Sequence, residues 1–365
     1  MSAFVNVGAD TLEVTWPDGT MTPLPYLWLR DNCGCDACRI AQTSEKKFHL
    51  ISVPIDLRPE RVQLYDDHLQ LVWPDGHVSE FAGAGIRALI NPPTQKWRPW
   101  AAEFRPGRTE FDAFLTDDAT AIGMIEDFLE TGAALLINAP RSPCTVERLQ
   151  SRLGPIREAA FARVHDVVVD PKGYNAAHTA LPLPPHNDLA SLSWPPSAQA
   201  LHMLVNEVEG GESIIVDGWH IAAELREDHP DLLRILCQTP VPFRIFDEHE
   251  ETSTAAPMIS LDTAGNVTTF RYSNQTMQPM DPTQPGLADF YLAYHEVSCR
   301  VMADSARARF RLNGGEILLV AGHRVLHARE AFEPTGRRHL QDAYFEHDNI
   351  RNHLAVLARH RKLRS

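Results

Sequence analysis

Two stretches near the start of the chain, TLEVTWPDGTMTPL and HLQLVWPDGHVSEF, alternate apolar and polar positions, turn at WPDG and continue extended. Period-two alternation puts the apolar side chains on one face of a strand, and Asp-Gly between two such runs is hairpin chemistry. The pattern predicts a small antiparallel β domain over 1–92, built on similar hairpins at 10–30 and 61–82. A duplicated ancestor and one solution reached twice would leave the same likeness. The next stretch, NPPTQKWRPWAAEFRPGR, is rich in proline, which fixes φ and removes a donor, so residues 93–108 are expected as a linker. From 109 to 365 the period changes. A helix is expected over about 117–131, stopped near Gly132 and followed by the buried strand ALLINA. Further helices are expected at 144–153, capped by Thr145, at 219–227 and at 284–304. ALHMLVNEV, ESIIVDG, VPFRIF, VTTFRYS, EILLVAG and HLQDAYFEH read as strands. Mostly strands with a few outer helices predicts a jelly-roll type β sandwich.

A chain of 365 residues fits two domains and a sizeable core. The net charge of −14 argues against a nucleic-acid partner, because phosphate backbones attract basic surfaces. It leaves room for a small anionic substrate, which meets only the local field of its pocket. The basic end, RHRKLRS, reads as a solvated tail. The start, MSAFVNVGADTLEV, lacks the basic and apolar segments of a signal peptide, and no apolar run reaches membrane-spanning length. Cys33, Cys35 and Cys38 crowd together while Cys144, Cys237 and Cys299 stand apart, which is metal-site usage in a reducing compartment. The cytoplasm is the expected location.

PLPPHNDLAS, residues 182–191, sets His186 and Asp188 two positions apart. At an extended strand end such side chains share one face and reach one ion. Two histidines and one carboxylate on one face suit non-haem Fe(II). The pair alone carries little, because Asn187-Asp188 after Pro-Pro is also ordinary turn chemistry. The distal stretch GGEILLVAGHRVLHAREAF adds His323 and His327, and Arg338 follows eleven residues after His327. A distal histidine would complete a facial triad. A planar guanidinium beyond it would grip the far carboxylate of 2-oxoglutarate, whose keto-acid end chelates iron.

Taken in order, LWLRDNCGCDAC, WPDGHVSEF, PPHND, GGESIIVDG, RVLHAREAF and RHLQDAY resemble the γ-butyrobetaine dioxygenase and trimethyllysine dioxygenase group. These are Fe(II)/2-oxoglutarate oxygenases of the TauD/TfdA-like class, and the resemblance covers nearly the full length. It implies a mostly β fold with flanking helices. The catalytic domain over 109–365 would be a double-stranded β-helix (jelly-roll), preceded by a small N-terminal zinc-binding β domain. Iron is implied on His186, Asp188 and His327, with 2-oxoglutarate held by Arg338. Ser213, in GGESIIVDG, would hydrogen-bond the cosubstrate or serve the strand alone. His323 stands four residues from the matching position and reads as a turn residue; Trp194 and Tyr272 read as packing. Fe(II), 2-oxoglutarate and structural Zn(II) are the implied cofactors, with ascorbate admitted as a reductant.

CGCDAC places three thiols within six residues, and a closed zinc tetrahedron needs a fourth ligand. His77 stands where the resembling family has its zinc histidine, ahead of His49 and His68. Such a site leaves no open position, so its role would be structural. Three inert buried cysteines are the alternative.

Relatives that hydroxylate trimethylammonium substrates hold the cation among aromatic rings, whose faces are the best partners of a group without N–H donors. The matching positions here are Phe161, His165, His178 and Leu189, of which only Phe161 is a clear aromatic wall. Asn175 and Asn274 match residues that orient the substrate carboxylate, and Tyr344 matches a pocket tyrosine. The altered cage suggests a small substrate with an anionic group, an uncharged group or an ordinary amine at that end.

The expected reaction hydroxylates an unactivated C–H while dioxygen is consumed and 2-oxoglutarate becomes succinate and carbon dioxide. A true γ-butyrobetaine dioxygenase making carnitine, a non-catalytic 2-oxoglutarate-binding protein of the same fold and a metal-dependent hydrolase are the rival readings. Neither a nucleic acid nor a membrane is an expected partner; a homodimer is the assembly considered.

Overall fold

A computed structural model describes residues 4–65, 67–90, 96–159, 162–169, 178–247 and 250–364. Two compact units divide the chain, 1–95 and 96–365.

In the first unit, Phe4–Val7, Thr11–Thr15 and Met21–Pro25 form one three-stranded antiparallel sheet. Arg61–Tyr65, His68–Val72 and Val78–Ala82 form a second. The two WPDG turns close alike. Gly19 and Gly76 each donate to the carbonyl of the turn tryptophan at 2.9 Å, and both take positive φ, 85° and 78°, where a side chain would be strained. Both indoles then donate six residues onward at 2.8 Å, Trp16 to Thr22 and Trp73 to Ser79. Leu12, Val14 and Trp16 repeat as Leu69, Leu71 and Trp73, all buried in one core. A short helix follows each sheet, Tyr26–Asp31 and Gly83–Ile90. The repeat is therefore larger than a pair of hairpins: it is a three-stranded sheet and helix, used twice.

Among the described residues the second unit carries two main sheets and three two-stranded ones. The larger runs Gly107–Glu110, Ala133–Ile137, Glu316–Val320, Ala198–Asn206, Arg338–Phe345 and His165–Val168, antiparallel except for its first pair. The smaller runs Leu183–His186, Val325–Arg329, Ser213–Asp217 and Ala308–Phe310, antiparallel throughout. Helices cover the outer faces. Ile214, Val216 and Leu326 of the smaller sheet share a core with Ile221, Leu225 and Phe290 from the helices Gly218–Asp228 and Leu287–Met302. Phe128 of the helix Asp118–Thr131 and Ile350 of the helix His347–Arg364 pack into the larger sheet's core. Fully burying such side chains stabilises the fold by roughly 1.5–3 kcal/mol each.

Local chemistry sets most boundaries. Asp117 caps the helix Asp118–Thr131 by accepting from the Thr120 amide, and Gly132 ends it in the left-handed region at φ 82°. Two expectations need correction. Residues 144–153 form a 3₁₀ turn, Thr145–Leu149, and one α turn, Gln150–Leu153, without a side-chain cap. The Thr145 hydroxyl is engaged by Ser142 at 2.9 Å, and Cys144 holds the N-cap position at φ 60°. The expected linker joins the second unit from Lys96 onward: Trp100 is buried, its indole donates to Thr131 O at 2.7 Å, and a strand begins at Gly107. The basic tail is exposed at Arg359, His360 and Arg361, as expected, and forms the end of the helix His347–Arg364. Among the described residues no helix is long and apolar enough to cross a membrane.

Candidate active site

His186 ends the strand Leu183–His186, Asp188 stands in the turn just after it, and His327 lies opposite His186 on the neighbouring strand. His186 Nε2 approaches Asp188 Oδ1 at 3.1 Å and His327 Nε2 approaches the same oxygen at 3.6 Å. One ligand atom from each falls within 4.8 Å of the others. His186 Nδ1 is 2.9 Å from the Pro184 carbonyl; donation there leaves Nε2 as the ligand atom, the usual orienting bond of a metal histidine. Burial opposes ionisation of Asp188, but the two histidines and Tyr344 outweigh it and hold the carboxyl below its ordinary range. Burial and His186 push His327 down to about 4, which keeps it neutral and able to ligate.

Several side chains fix this geometry. Asn187, a turn residue in the sequence reading, is buried and clamped: its amide donates to Gly322 O at 2.8 Å and its carbonyl accepts from the Tyr272 amide at 2.7 Å. Tyr344 OH and Gln199 Nε2 both donate to Asp188 Oδ2, at 2.9 and 2.7 Å, leaving Oδ1 for a metal. Arg271 donates to the carbonyls of Ala190, Leu192 and Ser193, which pins the chain beyond the ligand turn. Leu189 holds a positive φ of 53°, uncommon for a residue with a Cβ and a mark of a turn its surroundings enforce. Before His327, Arg324 forms a two-pronged pair with buried Asp217 at 2.7 and 2.9 Å, anchoring the turn that launches the His327 strand.

A cavity of about 450 Å³ opens over the triad. Arg338 and Ser213 line it, as do His165, Leu189 and Tyr344. Arg338 Nε is buried without a hydrogen-bond partner, and the side chain lies over the Phe332 ring at 5.5 Å. Burial, then Arg329 and Arg311, push its guanidinium down to about 9, so it is still a cation at neutral pH. An orphaned, buried fork beside an open triad fits a dicarboxylate with one end on the metal.

The remaining expected residues fall in three places. His178 does not line the cavity; it stands behind His165, edge-on at 5.8 Å, with Nδ1 at 3.0 Å from Val168 O. Asn274 is exposed, and its neighbours Ser273, Gln275 and Thr276 line the cavity in its place. Phe161 and Asn175 lie outside the described residues. His323 is buried with Nε2 at 2.9 Å from Pro195 O, and Trp194 is exposed against its edge. Asn187, Gln199 and Asp342 were missed. The last has a legible signal: Arg338, Leu340, Asp342 and Tyr344 follow a strict period of two and all face the cavity.

A second cluster lies in the N-terminal unit. Cys33, Cys35 and Cys38 sulfurs stand 3.3, 3.8 and 3.6 Å from His77 Nε2. Burial pushes the Cys38 thiol up to about 11, and Arg30, donating to its Sγ at 3.3 Å, opposes that shift without outweighing it. His77 sits in the second WPDG turn, its backbone amide held by Asp75 at 3.0 Å. Three soft sulfurs and one imidazole are a zinc donor set.

Family models match both units of the chain. The family described as "Taurine catabolism dioxygenase TauD, TfdA family" matches residues 90–344, and "Gamma-butyrobetaine hydroxylase-like, N-terminal" matches residues 5–82. A gamma-butyrobetaine dioxygenase of Pseudomonas sp. (strain AK-1) is 35% identical over 96% of this chain and 94% of its own. The mitochondrial trimethyllysine dioxygenase of Gallus gallus is 26% identical over 95% of this chain and 86% of its own. Among solved structures, a Burkholderia xenovorans protein provisionally described as an alpha-ketoglutarate-dependent taurine dioxygenase shares the fold. Its TM-score is 0.50 at 13% identity, over 67% of this chain and 92% of that one. With one family match over most of the chain and a relative above three-tenths identity along nearly all of it, the protein belongs to the TauD/TfdA dioxygenase family, in its γ-butyrobetaine hydroxylase-like branch.

Proposed function

We propose that the protein is an Fe(II)- and 2-oxoglutarate-dependent dioxygenase hydroxylating an unactivated C–H of a small polar substrate, of γ-butyrobetaine dioxygenase type with an altered cation pocket. The observation that carries this is the meeting, in one buried cavity, of His186, Asp188 and His327 with the unpaired guanidinium of Arg338. When bound, the metal and cosubstrate supply the oxidising chemistry: dioxygen is consumed, 2-oxoglutarate becomes succinate and carbon dioxide, and the substrate gains a hydroxyl.

The chain's own residues position and shield. Arg338 would bind the distal carboxylate bidentately, and Ser213 beside it offers a hydroxyl. Tyr344 and Gln199 hold Asp188 Oδ2 so that Oδ1 faces the two imidazoles. Burial pushes the Tyr344 phenol well above its ordinary range, and nearby carboxylates add to this, so it remains a donor. In the N-terminal unit, Cys33, Cys35, Cys38 and His77 would hold a structural Zn(II).

A true γ-butyrobetaine dioxygenase is the second reading, favoured by the 35% identical relative of that name. One experiment tests both. The anaerobic enzyme with Fe(II) and 2-oxoglutarate should develop a visible metal-to-cosubstrate charge-transfer band, which shifts when the true substrate binds. Absence of the band would overturn the oxygenase reading; a clean shift with γ-butyrobetaine would favour the second.

A further inference from the structure

Arg30 lies in the last turn of the helix Tyr26–Asp31, just ahead of the three cysteines, and is 5% exposed. Nη1 donates to Cys38 Sγ at 3.3 Å and Nη2 reaches Asp75 Oδ2 at 3.5 Å. The guanidinium lies over the Phe48 ring at 4.0 Å, and the Phe48 amide donates back to the Cys38 carbonyl. Nε is buried with no hydrogen-bond partner among the described residues. Asp75 is half exposed, and its other oxygen holds the His77 amide at 3.0 Å. A buried cation that spends one N–H on a sulfur, leaves another unused and meets its carboxylate only at the limit of hydrogen-bonding distance is poorly compensated.

A loaded metal centre would supply the missing negative charge. Zinc deprotonates a coordinating thiol outright, so three thiolates and a neutral imidazole on a divalent ion carry a net negative charge. The ligands themselves contain nothing to balance it. Arg30 is the cation whose donor reaches a ligand sulfur, whereas Lys46, further along the same loop, pairs with Asp31. The placement also joins the two halves of the repeat. Arg30 comes from the helix after the first sheet, and its carboxylate partner stands in the second WPDG turn, two residues before His77.

We propose that Arg30 is a positioning residue of the N-terminal metal centre: its guanidinium balances the charge of the loaded cluster at Cys38 and, through Asp75, sets the turn that presents His77. This rests on the zinc reading and concerns retention of the metal, not the oxidation chemistry. The planar fork matters, because it lets one group serve a sulfur and a carboxylate at once, where a point charge would serve one of them. Without it the Cys38 sulfur would hold its charge with no cation beside it.

The test uses the full-length protein loaded with zinc or with cobalt(II). In competition against a chromophoric chelator, Arg30→Met, which keeps a long stem on Phe48 and loses the charge, should bind zinc about ten- to a hundredfold more weakly than wild type. Cobalt(II) gives a second reading through its thiolate-to-metal charge-transfer band. That band should move to lower energy in Arg30→Met, because a sulfur without its N–H donor gives up an electron more readily. The cluster of His186, Asp188 and His327 offers no sulfur and adds nothing to the band. Arg30→Lys, with the charge but not the fork, should fall between wild type and Arg30→Met in both readings. Arg30→Gln takes the place of Arg30→Met should that variant not fold, with the same direction expected and folding read from circular dichroism. A folded, charge-free variant that holds zinc within about threefold of wild type, or whose band does not move, would overturn the role of Arg30 and leave the zinc site standing. Wild-type protein that takes up neither metal at the cysteines would overturn the zinc reading and this inference with it.

Discussion

The two metal-ligand clusters are built on opposite plans. Cys33, Cys35, Cys38 and His77 supply four soft donors, as many as a tetrahedral ion takes, and leave nothing open. His186, Asp188 and His327 supply three, on one side, beneath a cavity. With zinc bound as proposed, the first plan would stabilise a small unit whose core holds eleven buried side chains. The second would leave coordination positions for reactants on a bound metal, and its other residues serve aim: Asn187, Gln199, Tyr344 and Arg271 all hold the ligand turn. A closed site can be made by a short loop and one hairpin. An open one needs a rigid frame, because nothing but the protein sets the angles of the ligands when a vertex is free.

The sharpest way to break this comparison is to remove one ligand from each plan. His186→Ala, Asp188→Ala or His327→Ala should abolish 2-oxoglutarate-dependent succinate formation and iron binding while zinc content stays near one per chain. Retained turnover in any of the three would remove that residue from the iron site. Cys35→Ser, or a strong chelator, should instead unfold the N-terminal unit ahead of the second, since apparent zinc binding in small metal domains supplies on the order of 10 kcal/mol of folding free energy. Limited proteolysis with metal analysis reads this directly. Protein prepared without chelator that carries no zinc would contradict the closed plan.

Arg338 sharpens the open plan by a smaller step. Arg338→Lys keeps a charge and loses the planar fork, so the Michaelis constant for 2-oxoglutarate should rise roughly tenfold or more. An unchanged constant would move the anchor elsewhere. Arg329 is a poor substitute, because its guanidinium already donates to the carbonyls of Thr179 and Leu181 at 2.6 and 2.7 Å.

The same contrast explains what could be read from the sequence. Three cysteines within six residues declare themselves by spacing, and both WPDG turns by turn chemistry. The triad was legible as an ordered set, because HxD on a strand end followed by a distal histidine carries its own geometry. The residues that aim it were not. Asn187 looks like a turn former until its amide is seen bonded to Gly322 O, 135 positions away. Gln199 matters only because two strands bring Asp188 and Asp342 to either side of one nitrogen. The linker expectation failed for a related reason: proline content excludes helix and strand interiors but says nothing about packing, and Trp100 packs. His178 and Asn274 show the limit of position-by-position transfer, since a matched residue can sit one layer behind the cavity or outside it.

The smallest expected effect concerns the cage itself. Since His178 stands behind the cavity wall, the positions at which to restore ring faces are His165 and Leu189. Leu189→Tyr adds no new backbone strain, because leucine already carries a Cβ at φ 53°. Each recovered face should favour a trimethylammonium head by roughly 0.5–2 kcal/mol, about two- to thirtyfold in relative affinity. His165→Tyr has a second signature. Burial and His178 hold His165 below the ordinary histidine range, so the wild-type ring is neutral at pH 7 and gains its proton only on the acid side of that range. Affinity for a cationic head should therefore fall as pH is lowered through that step, where a new positive charge joins the pocket. His165→Tyr should remove the step while the fold holds. A pH profile of binding that is the same in wild type and His165→Tyr would show that this histidine does not meet the substrate, and the ring-face argument would then rest on Leu189 alone.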